Sequence, residues 1–242
     1  MLKENEMLCD LGLGGLKLIQ GKTGFRFGTD SVLLSDFAKP HRFDKIVDLG
    51  SGSGILGFLL LGRHKNITIH ALEIDSLMVD RCRRSIELNS LEKCFELKEG
   101  DIRNIKDFYE HNAYQMVVSN PPYFSEKHAS LVSESQKTAR TDEGACFDDI
   151  ASAAKHVLNT SGRLISMCPS SRLFEMSGAL KNSGFCIKRL RLVRSFREKE
   201  PYLILFEAKL YAKEGVIFMP DLVVYNENRE YTDELKKIYH LN

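Results

Sequence analysis

The sequence lacks a long uninterrupted apolar segment. No apolar run approaches the roughly twenty residues that a membrane-spanning helix needs, and the longest run near the N-terminus is interrupted by glycine and lysine. Low-complexity tracts and internal repeats are absent as well. The 242 residues have a hydrophobic content of 43%, which is enough to bury a full core. These features predict a globular protein that has no signal peptide and no membrane partner.

Cysteines and histidines at the spacing of metal ligands are also missing. The chain has six cysteines, but none form a Cys-x-x-Cys pair and no histidine stands at ligand spacing from them. We therefore expect buried, reduced thiols and no metal ion. Reduced thiols are typical of a reducing compartment, so the sequence predicts a cytoplasmic protein.

The sequence also lacks an excess of charge of one sign. The chain has 34 Lys and Arg against 33 Asp and Glu, so its formal net charge of +1 does not favour a polyanionic partner. Local basic clusters do occur. One consists of Lys188, Arg189, Arg191, Arg194, Arg197 and Lys199, and a second, after Phe124, consists of Lys127, His128, Lys137 and Arg140. For the first part of the first cluster, a solvated hairpin face is as good an interpretation as a nucleic-acid surface.

Short apolar runs alternate with longer amphipathic segments, which is the pattern of β-α units. Strands are predicted at 45–49, 67–73, 95–99, 115–119 and 163–167. Helices are predicted at 55–61, 76–89, 143–158 and 171–182, with a weaker one at 102–108. Two later runs, 186–193 and 203–211, predict a hairpin. The expected fold class is α/β, with a mainly parallel sheet, a final antiparallel strand and helices on both faces.

The first forty residues are expected to form a small extension, and residues 41–242 a single domain. In the extension, strands at 16–20 and 25–27 would form a hairpin around the turn at 21–24. Thr29 or Asp30 would then cap a helix that ends at Phe37.

A glycine-rich loop joins the first predicted strand of the sheet to the helix that follows. It contains Asp48, Gly50, Gly52 and Gly54, whose spacing permits a tight turn and close approach of the backbone to a nucleotide-like cofactor. Gly52, Gly54 and Gly57 also fit the spacing of dinucleotide-binding enzymes. Counted from Gly50 at the strand end, however, the third required glycine falls on Ile55. The register therefore disfavours the dinucleotide interpretation.

Acidic residues follow the next two strands. Glu73 stands about twenty residues after the loop, where a carboxylate can accept both ribose hydroxyls of an adenosine. Asp75 is expected to cap the next helix. Asp101, which precedes Ile102, ends the third strand and could accept from an adenine amine.

The segment with the most specific chemistry is Asn120-Pro121-Pro122-Tyr123, followed by Phe124. The prolines fix the backbone and cannot donate hydrogen bonds, so their carbonyls and the Asn120 side chain are acceptors. An amine conjugated to a ring is a poor nucleophile, and two acceptors on its protons would favour a pyramidal nitrogen held about 3 Å from the methyl donor. This chemistry needs no metal and no strong base. A Pro-Pro turn that merely ends a strand is the alternative.

With these motifs the chain resembles the Asn-Pro-Pro-Tyr class of Rossmann-like, S-adenosylmethionine-dependent methyltransferases. Within that class it is most similar to the bacterial family that methylates adenine N6 beside the anticodon of valine tRNA. Three regions carry the likeness: residues 27–34, residues 48–54 together with 120–124, and residues 231–234.

The resemblance implies roles for particular residues. The cofactor S-adenosylmethionine would be bound by Thr29, Asp48, Gly50, Gly52, Gly54, Glu73, Asp101 and Ile102, and the target amine by Asn120, Pro121, Pro122 and Tyr123. We further expect RNA contacts from Phe124, Lys127, Arg140, Arg194, Arg197 and Lys199, because the two basic loops should flank the tetrapeptide.

Other functions remain open at this stage. The same tetrapeptide would suit enzymes that methylate DNA adenine, ribosomal RNA guanine or the glutamine amide of release factors, since it recognises a planar NH2 group. Outside the class, a nicotinamide-dependent oxidoreductase or a cofactor-binding protein without catalysis would leave Asn120 to Tyr123 unexplained.

Overall fold

A nine-stranded sheet forms the centre of the protein. The computed structural model describes residues 2–23, 28–121 and 146–240. Within these residues the sheet has the order β10-β8-β9-β7-β6-β3-β4-β5, with β11 also paired to β8. The strands are β3 (Lys45–Leu49), β4 (Thr68–Glu73), β5 (Phe95–Glu99), β6 (Tyr114–Ser119), β7 (Leu158–Pro169), β8 (Phe185–Arg194), β9 (Leu203–Leu210), β10 (Ile217–Phe218) and β11 (Leu222–Val223).

The strand directions confirm a mainly parallel sheet. Strands β5, β4, β3, β6 and β7 pair in parallel, and β9 runs antiparallel to both β7 and β8. The expected hairpin of β8 and β9 is therefore present, and its antiparallel strand lies inside the sheet. Strands β10 and β11 were not predicted, because two residues are too few to show a periodicity.

Helices cover both faces of the sheet, as expected. They are α1 (Thr29–Phe37), α2 (Ile55–Arg63), α3 (Ser76–Leu88), α4 (Phe147–Val157), α5 (Leu173–Asn182) and α6 (Asp233–Ile238), and a 3-10 segment spans Ile102–Asp107. The predicted start of α4 at 143–145 lies outside the described residues. None of the described helices has both the length and the apolar content to cross a membrane.

Two apolar clusters fill the space between sheet and helices. Alternate residues of β3 enter opposite clusters: Ile46 packs with α1, α2 and α6, whereas Val47 packs with α4 and α5. This alternation is the side-chain period of a strand that is covered on both faces. It explains why β3 was recognisable as a short continuous apolar run.

A small antiparallel hairpin is present in the N-terminal extension, as predicted. It consists of strand β1 (Glu6–Asp10), which the sequence did not reveal, paired with strand β2 (Lys17–Gly21). The predicted partner at 25–27 lies outside the described residues. Contacts with α3 hold β1 in place, since the buried Glu6 carboxylate accepts from Arg84 at 2.6 Å and from Arg81 at 3.4 Å. The domain boundary at residue 40 stays a prediction.

The predicted cap of α1 is wrong. Helix α1 begins at Thr29, and its N-cap is Gly28, which offers no side-chain hydrogen bond. Neither Thr29 nor Asp30 caps the helix. The Thr29 side chain instead hydrogen-bonds Tyr239, just after α6.

Candidate active site

The predicted site residues gather at one edge of the sheet. Asp48 lies near the end of β3, Glu73 ends β4, Asp101 follows β5, and Asn120 follows β6. In the pairing register, Asp48 lies opposite Val118 of β6, two residues before Asn120. The carboxyl ends of parallel strands meet at this edge, which is where open α/β sheets bind their ligands.

The glycine loop has a backbone that only glycine adopts readily. Gly50, Gly52 and Gly54 have φ values of 68°, 55° and 82°. A Cβ added at Gly50 or Gly52 would meet no atom within 4 Å, whereas at Gly54 it would come within 2.5 Å of the Cys82 sulfur. Gly54 is thus needed for packing. Gly50 and Gly52 keep the backbone open toward a ligand.

The Glu73 carboxylate holds this loop in place. It accepts hydrogen bonds from the backbone N–H groups of Gly52 at 2.7 Å and of Ile74 and Asp75 at 2.9 Å. Burial raises the pKa of Glu73, and these hydrogen bonds oppose the shift. Asp75 caps α3 as predicted, accepting from the N–H of Leu77 at 2.9 Å and of Met78 at 3.2 Å.

Asp48 is the most deeply buried acid of the site, with a relative exposure of 1%. Burial raises its pKa to about 7, the Glu73 carboxylate adds to the shift, and a hydrogen bond with the Gly57 backbone opposes it. Its Oδ2 atom accepts no hydrogen bond from any described residue. A buried carboxylate oxygen of this kind needs a donor or a cation, so Asp48 fits a positively charged ligand.

Asp101 and Ile102 begin the 3-10 segment that follows β5. The Asp101 side chain accepts from the Arg103 N–H at 2.9 Å and also pairs with the Arg103 guanidinium. This hydrogen-bonded pair holds the pKa of Asp101 below its usual range. Ile102 is buried in the cluster that contains Val47. The structure therefore places Asp101 at the predicted edge, already paired with a neighbouring arginine.

Asn120 is held by one hydrogen bond of its own side chain and by two that fix the preceding residue. Its side-chain Nδ2 donates to the Ser31 hydroxyl of α1 at 3.0 Å, so the amide presents Oδ1 as its acceptor. The preceding residue is clamped on both sides: the Ser119 hydroxyl donates to Leu49 O at 2.9 Å, and the Ser166 hydroxyl donates to Ser119 O at 2.7 Å. Asn120 therefore sits on a rigid support.

Most of the predicted basic cluster is engaged in structural contacts. Arg189 pairs with Glu207, Arg191 with Glu234, and Arg194 with Asp221. Lys188 donates to Lys213 O at 3.0 Å. For residues 188–191 these contacts favour a structural role over an RNA surface, and two of the guanidinium nitrogens of Arg194 are already engaged, by Asp221 and by the Lys199 carbonyl.

Arg197 and Lys199 remain as the exposed basic residues of the hairpin loop. Neither forms an ion pair with a described residue. The loop does leave β8 at the predicted edge, because Val193 lies opposite Leu203, which in turn lies opposite Pro169 at the carboxyl end of β7. The remaining predicted site residues, Pro122, Tyr123, Phe124, Lys127 and Arg140, lie outside the described residues, as do His128 and Lys137.

Sequence reasoning missed several residues around the site. The sequence shows no sign of the roles of Ser31, Ser119 and Ser166, because a buried hydroxyl can be recognised only from the group to which it hydrogen-bonds. It also did not predict that four aromatic rings stack, those of Phe196, Tyr225, Tyr231 and Tyr239. The thiols differ from expectation too: all six are free, but only Cys82 and Cys168 are buried, and Cys146 is exposed.

Solved structures of methyltransferases share this architecture. The structure of a predicted O-methyltransferase from Agrobacterium tumefaciens covers 87% of this chain and 95% of its own length, with a TM-score of 0.73 at 19% identity. The fold is thus that of the Rossmann-like methyltransferases. The sequence profile of the methyltransferase small domain family matches residues 21–177, and the chain belongs to that family. Its methyl donor is S-adenosylmethionine.

Curated relatives extend the likeness to nearly the whole chain. A tRNA1(Val) (adenine(37)-N6)-methyltransferase from Haemophilus influenzae is 27% identical over 229 residues, which is 92% of this chain and 94% of the relative. The enzyme of the same name from Aliivibrio fischeri is 24% identical over 225 residues, with 92% and 93% covered. These matches favour a methyltransferase over the nicotinamide-dependent oxidoreductase considered above.

Proposed function

We propose that this protein transfers a methyl group from S-adenosylmethionine to the exocyclic N6 amine of an adenine in tRNA, near the anticodon. The observation that carries the proposal is the side chain of Asn120, which is locked at the same sheet edge as the glycine loop with an amide oxygen available as an acceptor. Relatives that are named for this activity and match 92% of the chain support the choice of substrate.

The residues of the edge fit the methyl donor. Asp48 would bind the cationic part of the cofactor, and Glu73 would accept hydrogen bonds from its ribose hydroxyls. The open backbone of Gly50 and Gly52 would let the cofactor approach closely. We assign supporting cofactor contacts to Gly54, Thr29, Asp101 and Ile102. When bound, S-adenosylmethionine supplies a methyl group on a positively charged sulfur.

Asn120 would orient the target. Its Oδ1 accepts one proton of the amine, and we assign the carbonyl of Pro121 to the other. Pro122 and Tyr123 would complete the amine site, and Phe124, Lys127 and Arg140 would contact the RNA. Catalysis then depends mainly on positioning, because the amine nitrogen can lose its proton to solvent after it is methylated.

Cofactor binding is expected to depend on pH through Asp48. Its pKa of about 7 means that the ionised fraction grows as the pH rises through neutrality, and only the ionised form attracts a cationic ligand. The affinity for S-adenosylhomocysteine should therefore increase about tenfold between about pH 6 and about pH 8. Calorimetry at both values measures it.

Asp48→Asn is the control for this pH dependence. It removes the titrating group and keeps the shape, so affinity should be lower and nearly constant over the same range. A wild-type affinity that does not change with pH would rule out an ionised Asp48 as the cofactor's partner.

Arg197 and Lys199 are expected to bind RNA phosphates. Removing one cationic side chain from a phosphate lowers the salt slope of binding by roughly 0.7 to 0.9, so Arg197→Gln with Lys199→Gln should lower it by about 1.4 to 1.8. Adding Arg194→Gln should change the slope little, since Arg194 is paired with Asp221. RNA affinity measured at several salt concentrations gives the slope.

A matched control uses two exposed lysines at the opposite edge. Lys65 and Lys93 stand just before β4 and β5. Their double replacement by glutamine removes the same charge and should leave the slope unchanged. Equal effects of the two double variants would mean that net charge, and not this loop, controls RNA binding.

Protein glutamine methylation is the main alternative, since Asn120 would orient any planar NH2 group. To separate the two, extract from a strain lacking the gene is labelled with radioactive methyl donor and purified protein, and portions are then digested with ribonuclease or protease. Label removed by ribonuclease and retained after protease supports RNA; the reverse result would replace tRNA with a protein substrate. A tRNA substrate also implies a cytoplasmic location.

A further inference from the structure

Four aromatic rings form a continuous column beside the candidate active site. The ring centroids of Phe196 and Tyr225 are 5.5 Å apart, those of Tyr225 and Tyr231 5.5 Å, and those of Tyr231 and Tyr239 5.7 Å. The angle between neighbouring ring planes falls from 34° to 25° to 16° along the column. These spacings are those of offset-stacked aromatic pairs. One end of the column reaches Thr29, on the helix that carries Ser31.

The other end of the column opens into a cleft of about 430 Å³. This volume is within the range of about 300 to 1,000 Å³ that small-ligand sites occupy. Phe196 and Tyr225 form its aromatic wall, and the polar groups around them include Arg197, Asn226, Glu227 and Asn228. The cleft thus combines a flat apolar surface with hydrogen-bonding groups of both kinds.

The cleft lies at the same edge of the sheet as Asn120. Val223, which lines it, pairs with Arg194 at the carboxyl end of β8, and the Tyr225 N–H donates to Ser195 O at 2.9 Å. An RNA whose target base enters at Asn120 would therefore place a neighbouring nucleotide on this part of the surface. The proposed phosphate ligands Arg197 and Lys199 belong to the same loop.

The polar groups indicate which part of a nucleotide the cleft takes. Asn226 Oδ1 already accepts from the N–H groups of Asn228 and Glu230, both at 3.0 Å, so its Nδ2 is left as a donor. Glu227 offers an acceptor and would repel a phosphate. A heterocyclic base presents both donors and acceptors along its edge and a π face for Phe196.

We propose that this cleft binds a second nucleobase of the RNA, one that flanks the target adenine and is not methylated. The proposal rests on the proposed function. It assigns part of the enzyme's sequence selectivity to Phe196 and to the segment 225–228, away from the amine site. The base would extend the aromatic column by one ring.

A thermodynamic cycle between protein and RNA tests the proposal. Affinities of the full chain are measured for anticodon stem-loops in which one nucleotide flanking the target adenine is made abasic, one position at a time. Phe196→Leu should weaken binding of intact RNA about 5-fold to 150-fold. Removing the base at one flanking position should weaken binding to the wild-type protein by a similar factor. When Phe196→Leu binds that abasic RNA, the two losses of affinity should not add.

Two further variants sharpen this cycle. Phe43→Leu is the matched control, because Phe43 is 68% exposed and lies just before β3 at the opposite edge, so it should change nothing. Asn228→Ala keeps the backbone contact of Asn228 and should alter the base preferred at the same flanking position. This variant keeps the test decisive even if Phe196→Leu does not fold.

Additive losses at every flanking position, with Asn228→Ala showing wild-type base preference, would overturn the second base site. The proposed function fails in a different way: wild-type protein would then neither bind nor methylate any adenine-containing stem-loop. If Phe196→Leu impaired methylation of a protein but left RNA binding unchanged, the cleft would belong to a peptide.

Discussion

Replacing Asn120 with alanine is expected to lower the rate of methyl transfer at least about a hundredfold, a loss comparable to that of one preorganised contact in the transition state. The side chain is held by Ser31 on a backbone clamped by two serines, so its acceptor is already oriented before substrate arrives. The single-turnover rate at saturating RNA and cofactor measures the effect.

Ser31→Ala tests whether the orientation of the Asn120 amide contributes to the rate of methyl transfer. It removes the hydroxyl that holds the Asn120 amide but leaves Asn120 in place, so the rate should fall by less than in Asn120→Ala. Ser31→Thr, which keeps a hydroxyl, should restore part of the rate. Affinity for S-adenosylhomocysteine should change little in all three variants, and a near-normal rate in Asn120→Ala would exclude its assigned role.

Replacing Glu73 with alanine should have the next largest effect, on cofactor affinity. Hydrogen bonds to a charged group contribute about 1.5 to 3 kcal/mol, which corresponds to about 10-fold to 150-fold in affinity. The loss should lie toward the upper end because the same carboxylate binds the Gly52 N–H at 2.7 Å and so also shapes the loop. Calorimetric titration with S-adenosylhomocysteine measures it.

Glu73→Gln and Asp75→Ala are the matched controls for this effect. The glutamine keeps one acceptor oxygen and should lose less affinity than alanine. Asp75→Ala removes a neighbouring carboxylate that caps α3, so it should lower the melting temperature with little effect on the cofactor. If Glu73→Ala binds the cofactor as tightly as wild type, the ribose assignment is wrong.

The central sheet was predictable because each strand carries its own signal. Strand β3 coincides with the predicted 45–49, a short apolar run, and β5 coincides with the predicted 95–99, where Phe95 and Leu97 alternate with charged residues. The N-terminal hairpin was not predictable in the same way. Strand β1 shows little apolar periodicity, and its buried Glu6 meets Arg81 and Arg84, about 75 positions along the chain.

The residues of the candidate site likewise fall into those that the sequence predicts and those that it does not. The glycine loop, Glu73 and Asn120 were recognisable because their chemistry requires particular residue types in a fixed order along the strands. The partners of Asn120 were not, since Ser31 and Ser166 come from other elements and no spacing relates them. The partners of the basic cluster were not visible for a similar reason: Arg191 and Arg194 pair with Glu234 and Asp221, which lie beyond the hairpin in the sequence.

Helix α6 closes the core on the side of α1, and this has a consequence for synthesis of the chain. Leu235 and Ile238 pack in the same cluster as Leu34, and Arg63 donates to Ile238 O at 2.6 Å. The ribosome adds these residues after every other described helix and strand. The helix that positions Ser31 therefore gains this part of its packing only after the glycine loop and Asn120 have already been synthesised.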